Sequence, residues 1–426
     1  MQLKGWMAVS IGYACLVVGV PDTNMRSVIK KNATEEKLME VTKHNLAAFE
    51  KMVDYNIKEG IMLYRISSDL IPFGSSPVNS LPWWELFKED FERIGKKIIN
   101  SGMRVSFHPG QYTVLNSPDE GVVERAIEDL RYHNLIMECL GVDYSHKMVL
   151  HVGGVYGDKK TAMERFVQNF ARLDEPIQKR LIIENDDRLY TVEDVLKISQ
   201  QTGSPVVYDN LHHAINPPEE ARDDYYWIHE TSKTWKPEDG RQKMHYSQQD
   251  PGKRDGAHTK TIYLDTFMEF YRKLEDPTID IMLEVKDKNI STVKCINATQ
   301  PERGIGALEK EWARYKYSIL ERSQPIYQQI RSLLKDKEGY PVEKFYQLIE
   351  EALEEEIDKG DAINAAQHVW GYFRDQAELK DVTAFKRNLK KFEEDTATLA
   401  TLKRQLKRFT DKYDQTYLKH SLYFDL

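Results

Sequence analysis

Eight times along this chain a helix-like stretch and a turn give way to a short run of apolar or β-branched residues that stops at a polar side chain. The strands this predicts are Ala8 to Tyr13, Ile61 to Arg65, Arg104 to His108, Lys147 to His151, Leu181 to Glu184, Pro205 to Asp209, Lys243 to His245 with its neighbours, and Ile279 to Glu284. The helical stretches carry their own punctuation. Thr34 can cap a helix whose first turn holds Glu35 and Glu36, favourable against the positive end of the helix dipole, and Gly60 stops it before the second strand. Gly102 and Gly203 do the same before the third and sixth strands. Continuous hydrophobic strands alternating with amphipathic helices mean a parallel sheet covered on its outer face, and eight such units close into an α/β fold, the (β/α)8 TIM barrel. In that fold functional groups gather where the strands end, and the polar residues fall there.

Beyond about Arg303 the pattern changes. From Ala307 onward the chain is dense in Glu, Lys, Leu and Tyr at helical spacing, with breaks at Pro325, Gly339-Tyr340-Pro341 and Gly360. The organisation predicted is a barrel over 1–305 and an all-α C-terminal extension over 306–426. The acidic stretch Glu350 to Glu356 and the basic one around Lys403, Arg404, Lys407 and Arg408 read as solvated faces, the basic one able to touch a phosphate backbone.

Composition excludes some classes. No stretch of this chain, 41% hydrophobic and 30% charged, approaches the roughly 18 apolar residues of a membrane span. Met7 to Val20, following Lys4, has the outline of a secretory segment, but Gly12-Tyr13 interrupts it, Pro21-Asp22 ends it in turn chemistry, and no small-x-small cleavage pattern follows. A buried strand explains the same residues. Cys15, Cys139 and Cys295 are too few and too scattered for a disulfide framework and suit a reducing cytoplasm. The net charge of −8 argues against a nucleic-acid partner, yet carboxylates gathered around metals are counted as negative although the bound cations reverse the local field.

Six of the eight strands end in a group able to bind a metal: His108, His151, Glu184, Asp209 followed by His212, His245, and Glu284, with His258 thirteen residues after His245. Eight such side chains converging on one barrel mouth without a cation would be costly to desolvate. Mixed nitrogen and oxygen donors suit Mn2+, Zn2+ or Fe2+ better than Ca2+ or Mg2+. Eight ligands are too many for one ion, so two or three are implied, the equipment for activating water in a phosphoryl displacement.

The segments SFHPGQY, VLHVGGVYG, LIIENDD, VVYDNLHHAINP, KMHYSQQDPGKRDGAH and IMLEVKDK, with GYACL and RISSDLIPF before them, resemble the ultraviolet-damage endonuclease family, relatives of the endonuclease IV barrels, across about residues 8 to 290. The resemblance implies incision of damaged double-stranded DNA immediately 5′ to cyclobutane pyrimidine dimers, 6-4 photoproducts and abasic sites, leaving a 3′-hydroxyl and initiating an alternative excision repair. It implies a cluster of up to three divalent ions, commonly manganese, with zinc or magnesium as alternatives. Glu184 would bridge two ions, His108 and His151 sharing one and Asp209, His245 and Glu284 the other, while His212 and His258 hold the third. Lys243 matches a lysine the family can carboxylate into a bridging anion; the alternative is a surface or phosphate-contacting lysine. Glu184, Glu284 and Lys243 are thus the catalytic candidates.

Gln111 and Tyr112 match residues that push into the duplex where damaged bases have been extruded, and Tyr13 matches another residue of the lesion pocket. The physics agrees: a planar ring and an amide can fill an emptied stack, and a crosslinked or missing base costs less to unstack than a sound one. Lys253 and Arg254, beside the metal ligands in sequence, could position the DNA backbone. Val17-Val18-Gly19 stands where relatives place more polar groups, which leaves lesion preference open, and the C-terminal extension lies outside the resemblance. The expected state is a cytoplasmic monomer, nucleoid-associated if prokaryotic. The rival readings are a general abasic-site nuclease, a sugar isomerase or epimerase on a similar metal barrel, and a damage-binding protein without catalysis.

Overall fold

The computed structural model describes residues 9–426. Its strands are β1 (Ile11–Ala14), β2 (Leu63–Arg65), β3 (Arg104–Phe107), β4 (Lys147–His151), β5 (Leu181–Glu184), β6 (Val206–Asp209), β7 (Lys243–Tyr246) and β8 (Asp280–Leu283). Each pairs in parallel with the next, and β1 pairs with β8 through Ile11↔Ile281, Gly12↔Met282 and Tyr13↔Leu283, so the sheet closes as a TIM barrel. All eight strands lie where the sequence places them. Pro205, which has no N–H to give a ladder, stays just outside β6. Ala8, where the first strand was expected to begin, lies outside the described residues, as do Lys4 and Met7 of the apolar N-terminal run, and Ile11–Ala14 of that run is β1.

The helix signals act as their chemistry requires. The Thr34 hydroxyl accepts from the Lys37 N–H at 3.2 Å and opens the helix Glu35–Glu59. Gly60, Gly102 and Gly203 end their helices with φ of 77°, 73° and 73°, the left-handed turn that lets the chain swing into the next strand.

Register places the candidate residues side by side: His151 pairs with Glu184, and Asp209 with His245. Strand side chains alternate between faces, so Lys243 and His245 share the barrel interior at different depths. At the depth of Lys243 the interior is a network of charges. Arg104 donates to Asp280 Oδ2 at 2.8 Å and to three backbone carbonyls, and the Lys147 ammonium donates to Asp239 Oδ1 and to the Lys179 carbonyl.

Two compact units are distinguished. One comprises the chain up to Val17, Asp22–Ile262 and Glu269–Val293, and the other Val18–Pro21, Tyr263–Met268 and Lys294–Leu426. Among the described residues from Lys294 onward there are helices and no strand. The helical unit has its own aromatic core, in which the Trp370 and Phe385 rings stack at 4.4 Å with Phe373, Leu406, Phe409 and Tyr423 around them. Pro325 sits at the start of Gln324–Leu333, and Tyr340-Pro341 precede Val342–Glu354, as breaks should. Gly360 is no break: it lies in the first turn of Lys359–Gly371, and Asp358 caps that helix on the Asp361 N–H. No helix of the described residues is long and apolar enough to cross a membrane, and Cys15, Cys139 and Cys295 form no disulfide among the described residues.

Candidate metal centre

Glu184, at the end of β5, is fully buried and organises the mouth of the barrel. Its Oε2 hydrogen-bonds with His108 Nε2 at 2.9 Å and lies 3.4 Å from His151 Nε2, and its Oε1 hydrogen-bonds with His245 Nδ1 at 2.6 Å. Three groups of donor atoms, each close enough to share one cation, meet at this carboxylate: His108 with His151, Asp209 with His212, and His245 with Glu284, each completed by Glu184. Asp209 therefore sits with His212 rather than with His245 and Glu284. His258 joins none of the three; its Nε2 stands 4.0 Å from Glu284 Oε2.

Backbone and side-chain contacts orient these donors. His108 Nδ1 faces the Pro109 carbonyl at 3.2 Å and His212 Nδ1 the Asn185 carbonyl at 2.9 Å, so each ring turns its Nε2 away from its backbone partner. The Asn185 amide brackets Asp209, accepting from its N–H at 2.9 Å and donating to its carbonyl at 3.1 Å. Asp209 Oδ1 accepts from the His212 N–H, while Asp209 Oδ2 is buried without a hydrogen-bond partner. After β7 the loop folds back through a bridge between Gln249 and His258, which returns His258 to the mouth.

The electrostatics are those of acid in excess. Burial pushes the Glu184 carboxyl up, but the surrounding His245, His151 and His108 hold it well below the ordinary range. Burial raises Asp209 to about 7 against the pull of His212. Burial pulls His212 down, yet Asp209, Glu184 and Glu284 together raise it to about 9. Burial lowers His245 to about 4. Arg65 stands against Glu284, but among the described residues Glu184 and Asp209 have only the neighbouring imidazoles as cationic partners, and one Asp209 oxygen is left with no hydrogen-bond partner. A divalent cation fits this donor set on chemistry and on burial.

The sequence model of the UV-endonuclease UvdE family matches residues 11–316. The chain belongs to that family. A UV DNA damage endonuclease of Clostridium perfringens (strain 13 / Type A) is 41% identical over 334 residues, 76% of this chain and 80% of its own. One from Bacillus cereus (strain ATCC 10987 / NRS 248) is 33% identical over 279 residues, 65% of this chain and 87% of its own. The crystal structure of SacUVDE matches with a TM-score of 0.66 at 35% identity, taking in 69% of this chain and 99% of that one. A second family, described as a protein of unknown function (DUF1722), matches residues 316–426.

The remaining candidates of this UvdE chain divide by placement. Tyr112 is 85% exposed, and with Gln111 it lines a cavity of about 800 Å³ that also reaches His151, Tyr156, Asp186 and Arg188. Lys253 and Arg254 are exposed on the loop that carries His258, with Lys253 Nζ 3.3 Å from Asp250. Tyr13 requires a correction, because it does not line the mouth. Its ring is fully buried and its hydroxyl donates to Asn56 Oδ1 at 2.8 Å on the helix Glu35–Glu59. The first strand runs on to Ala14 instead of ending at Tyr13, and one residue of offset turns a side chain to the other face.

Lys243 is corrected in part. It is neither a surface nor a phosphate-contacting lysine: it is fully buried, its Nζ lacks a hydrogen-bond partner, and the charges acting on it are Arg104, Asp280, Arg65 and Lys147 rather than the carboxylates of the mouth. Burial, with the repulsion of Arg104, holds its pKa well below the ordinary lysine range. Sequence reasoning missed Arg65. At the end of β2 its Nη2 donates to Glu284 Oε1 at 2.6 Å and faces His245 Nε2 at 3.0 Å, joining two candidate ligands. The signal was present, since Arg65 ends its strand as the others do, but only His and carboxylates were counted.

Proposed function

We propose that this chain is a metal-dependent DNA endonuclease, a phosphodiesterase that nicks duplex DNA immediately 5′ to cyclobutane pyrimidine dimers, 6-4 photoproducts and abasic sites and so opens an excision repair route. The observation that carries the reading is the meeting of three donor groups on Glu184 at the barrel mouth of a UvdE-family chain. The centre takes up to three divalent cations, manganese foremost and zinc or magnesium as alternatives, held by His108, His151, Glu184, Asp209, His212, His245, His258 and Glu284. Bound there, such ions supply water activation at neutral pH and neutralise charge on the attacking and leaving oxygens of a phosphodiester.

The protein's own groups do the rest. Glu184 and Glu284 fix the donor geometry, and Arg65 steadies Glu284 and His245 through its guanidinium. Gln111 and Tyr112, exposed over the cavity beside His151, fill the stack left by an extruded lesion. Lys253 and Arg254 hold the backbone without reading bases. Carboxylation of Lys243 would turn a buried amine without a hydrogen-bond partner into an anion among Arg104, Arg65 and Lys147, with Asp280 also near. The nuclease occupies 1–305, with 306–426 as a helical extension, and the protein works as a monomer in the cytoplasm. The test is an end-labelled duplex containing one dimer, incubated with Mn2+ or with EDTA and mapped to the nucleotide. A single cut 5′ to the lesion, with Mn2+ only, is expected; cutting in EDTA or at undamaged positions overturns the proposal.

A further inference from the structure

The chain as a whole is acidic, but its charge is not evenly spread in the helical unit. From Val382 to Phe392 and again from Leu399 to Thr410 the sequence holds eight Lys and Arg and no Asp or Glu. These segments lie in two consecutive helices, Leu379–Glu393 and Leu399–Lys412, joined by a short turn and packed together through Phe385, Leu389, Leu402, Leu406 and Phe409. A turn of that length makes them an antiparallel hairpin. With the apolar stripes turned into the core, the opposite stripes face solvent. On the first helix that stripe carries Lys386, Arg387, Lys390 and Lys391, all exposed. On the second it carries Arg404, Lys407 and Arg408, also exposed. Lys403 leaves the group: its ammonium turns inward to Glu321 Oε1 at 2.8 Å.

Outside these stripes several exposed cations of the unit find carboxylates, as Lys359 does on Asp395 at 2.8 Å and Lys412 on Glu378 at 2.8 Å. Of the seven exposed cations on the two stripes only Lys390, 3.6 Å from Glu394, and Lys407, 3.5 Å from Asp425, have an anion within ion-pair reach; Lys386, Arg387, Lys391, Arg404 and Arg408 have none among the described residues. Like charges three and four residues apart on a helix repel one another. Two adjacent stripes of them, with acid excluded from both, form a surface whose neutralising anions come from outside.

We infer that the hairpin Leu379–Lys412 is a docking surface for the phosphate backbone of duplex DNA, without sequence or lesion preference. Repeated cations with no acid among them match a polyanion of regular charge spacing. A lipid surface is the poorer fit, because the apolar faces that would insert are already buried in the core. The inference does not depend on the incision chemistry proposed above.

Its test therefore uses the full-length protein, undamaged short duplex and EDTA, where no cutting occurs. The variant combines Arg404→Gln, Lys407→Gln and Arg408→Gln, and a control removes the same charge elsewhere on the unit through Arg331→Gln, Lys335→Gln and Lys344→Gln. The slope of log affinity against log salt should fall by about 2.7 in the variant, about 0.9 for each phosphate no longer neutralised, with affinity at low salt down ten-fold or more and the control unchanged. A hairpin variant with Arg404→Lys and Arg408→Lys should keep the wild-type slope. An unchanged slope in the Gln variant overturns the inference, as does an equal fall in the control or a loss confined to anionic vesicles or acidic proteins.

Discussion

The two ends of the barrel interior are both built from buried charge, and they are built oppositely. At the floor, cations lead and are closed off by the protein: Arg104 on Asp280, Lys147 on Asp239, Arg241 on Asp280 at 3.0 Å, and Arg180 on four acceptors of the surrounding chain. At the mouth, carboxylates lead, and apart from Arg65 on Glu284 their partners are imidazoles that must give up protons to satisfy them. Buried ionisable residues by themselves do not mark a functional site. What distinguishes the mouth is that it is not self-neutralised, and the mismatch has the sign a cation corrects. Lys243 is where the floor's rule fails, with an amine that neither end pairs.

Substitutions should separate the two ends. Glu184→Gln should abolish incision, by about 10³-fold or more, an effect of over about 4 kcal/mol on the barrier, while leaving the melting temperature within a few degrees. Wild-type incision by that variant sinks the distinction. Asp239→Ala should do the reverse, because it strands the buried Lys147 ammonium. It should cost about 4 kcal/mol of stability in denaturant titration and leave activity per folded molecule intact. Third, Mn2+ at a hundred times its dissociation constant should stabilise the wild type by about 2.7 kcal/mol, seen as a rise in melting temperature. Asp239→Ala should keep that increment and Glu184→Gln should lose most of it.

The smallest effect expected is a pH dependence at the floor. The His146 ring is buried and accepts the Val105 N–H at 3.0 Å on Nδ1. Burial, with the nearby Arg104 and Arg180, lowers its pKa to about 4. A depressed folded-state value means the unfolded chain takes up a proton first. The contribution of His146 is therefore whole above about pH 6.5 and lost as pH falls toward 4. His146→Gln should flatten stability between those values relative to wild type; parallel curves would show the floor to be indifferent to protonation.

The barrel was legible because strand, turn and cap signals agreed at every repeat: Thr34, Gly60, Gly102 and Gly203 do in the structure what their chemistry announces. The mouth was half legible. A His or carboxylate at a strand end declares its depth, and register then brings Asp209 beside His245. Which donor meets which is decided by rotamers and by groups far off in sequence, such as Asn185 on Asp209 and Arg65 on Glu284, and no pattern along the chain encodes that. Tyr13 shows the sharper limit. Strand ends are uncertain by a residue, and in a period of two, one residue decides between the mouth and the helix layer.

The pairing of β1 with β8 has a consequence in time. Residues 11–13, whose other side can already be met by β2, find their β8 partners only when 281–283 exist, and Glu284 follows directly. A polypeptide still being synthesised, with its final strand inside the ribosome, therefore holds two open sheet edges and lacks one donor of the centre. Whatever this protein does at its mouth, it cannot begin until the ring is complete.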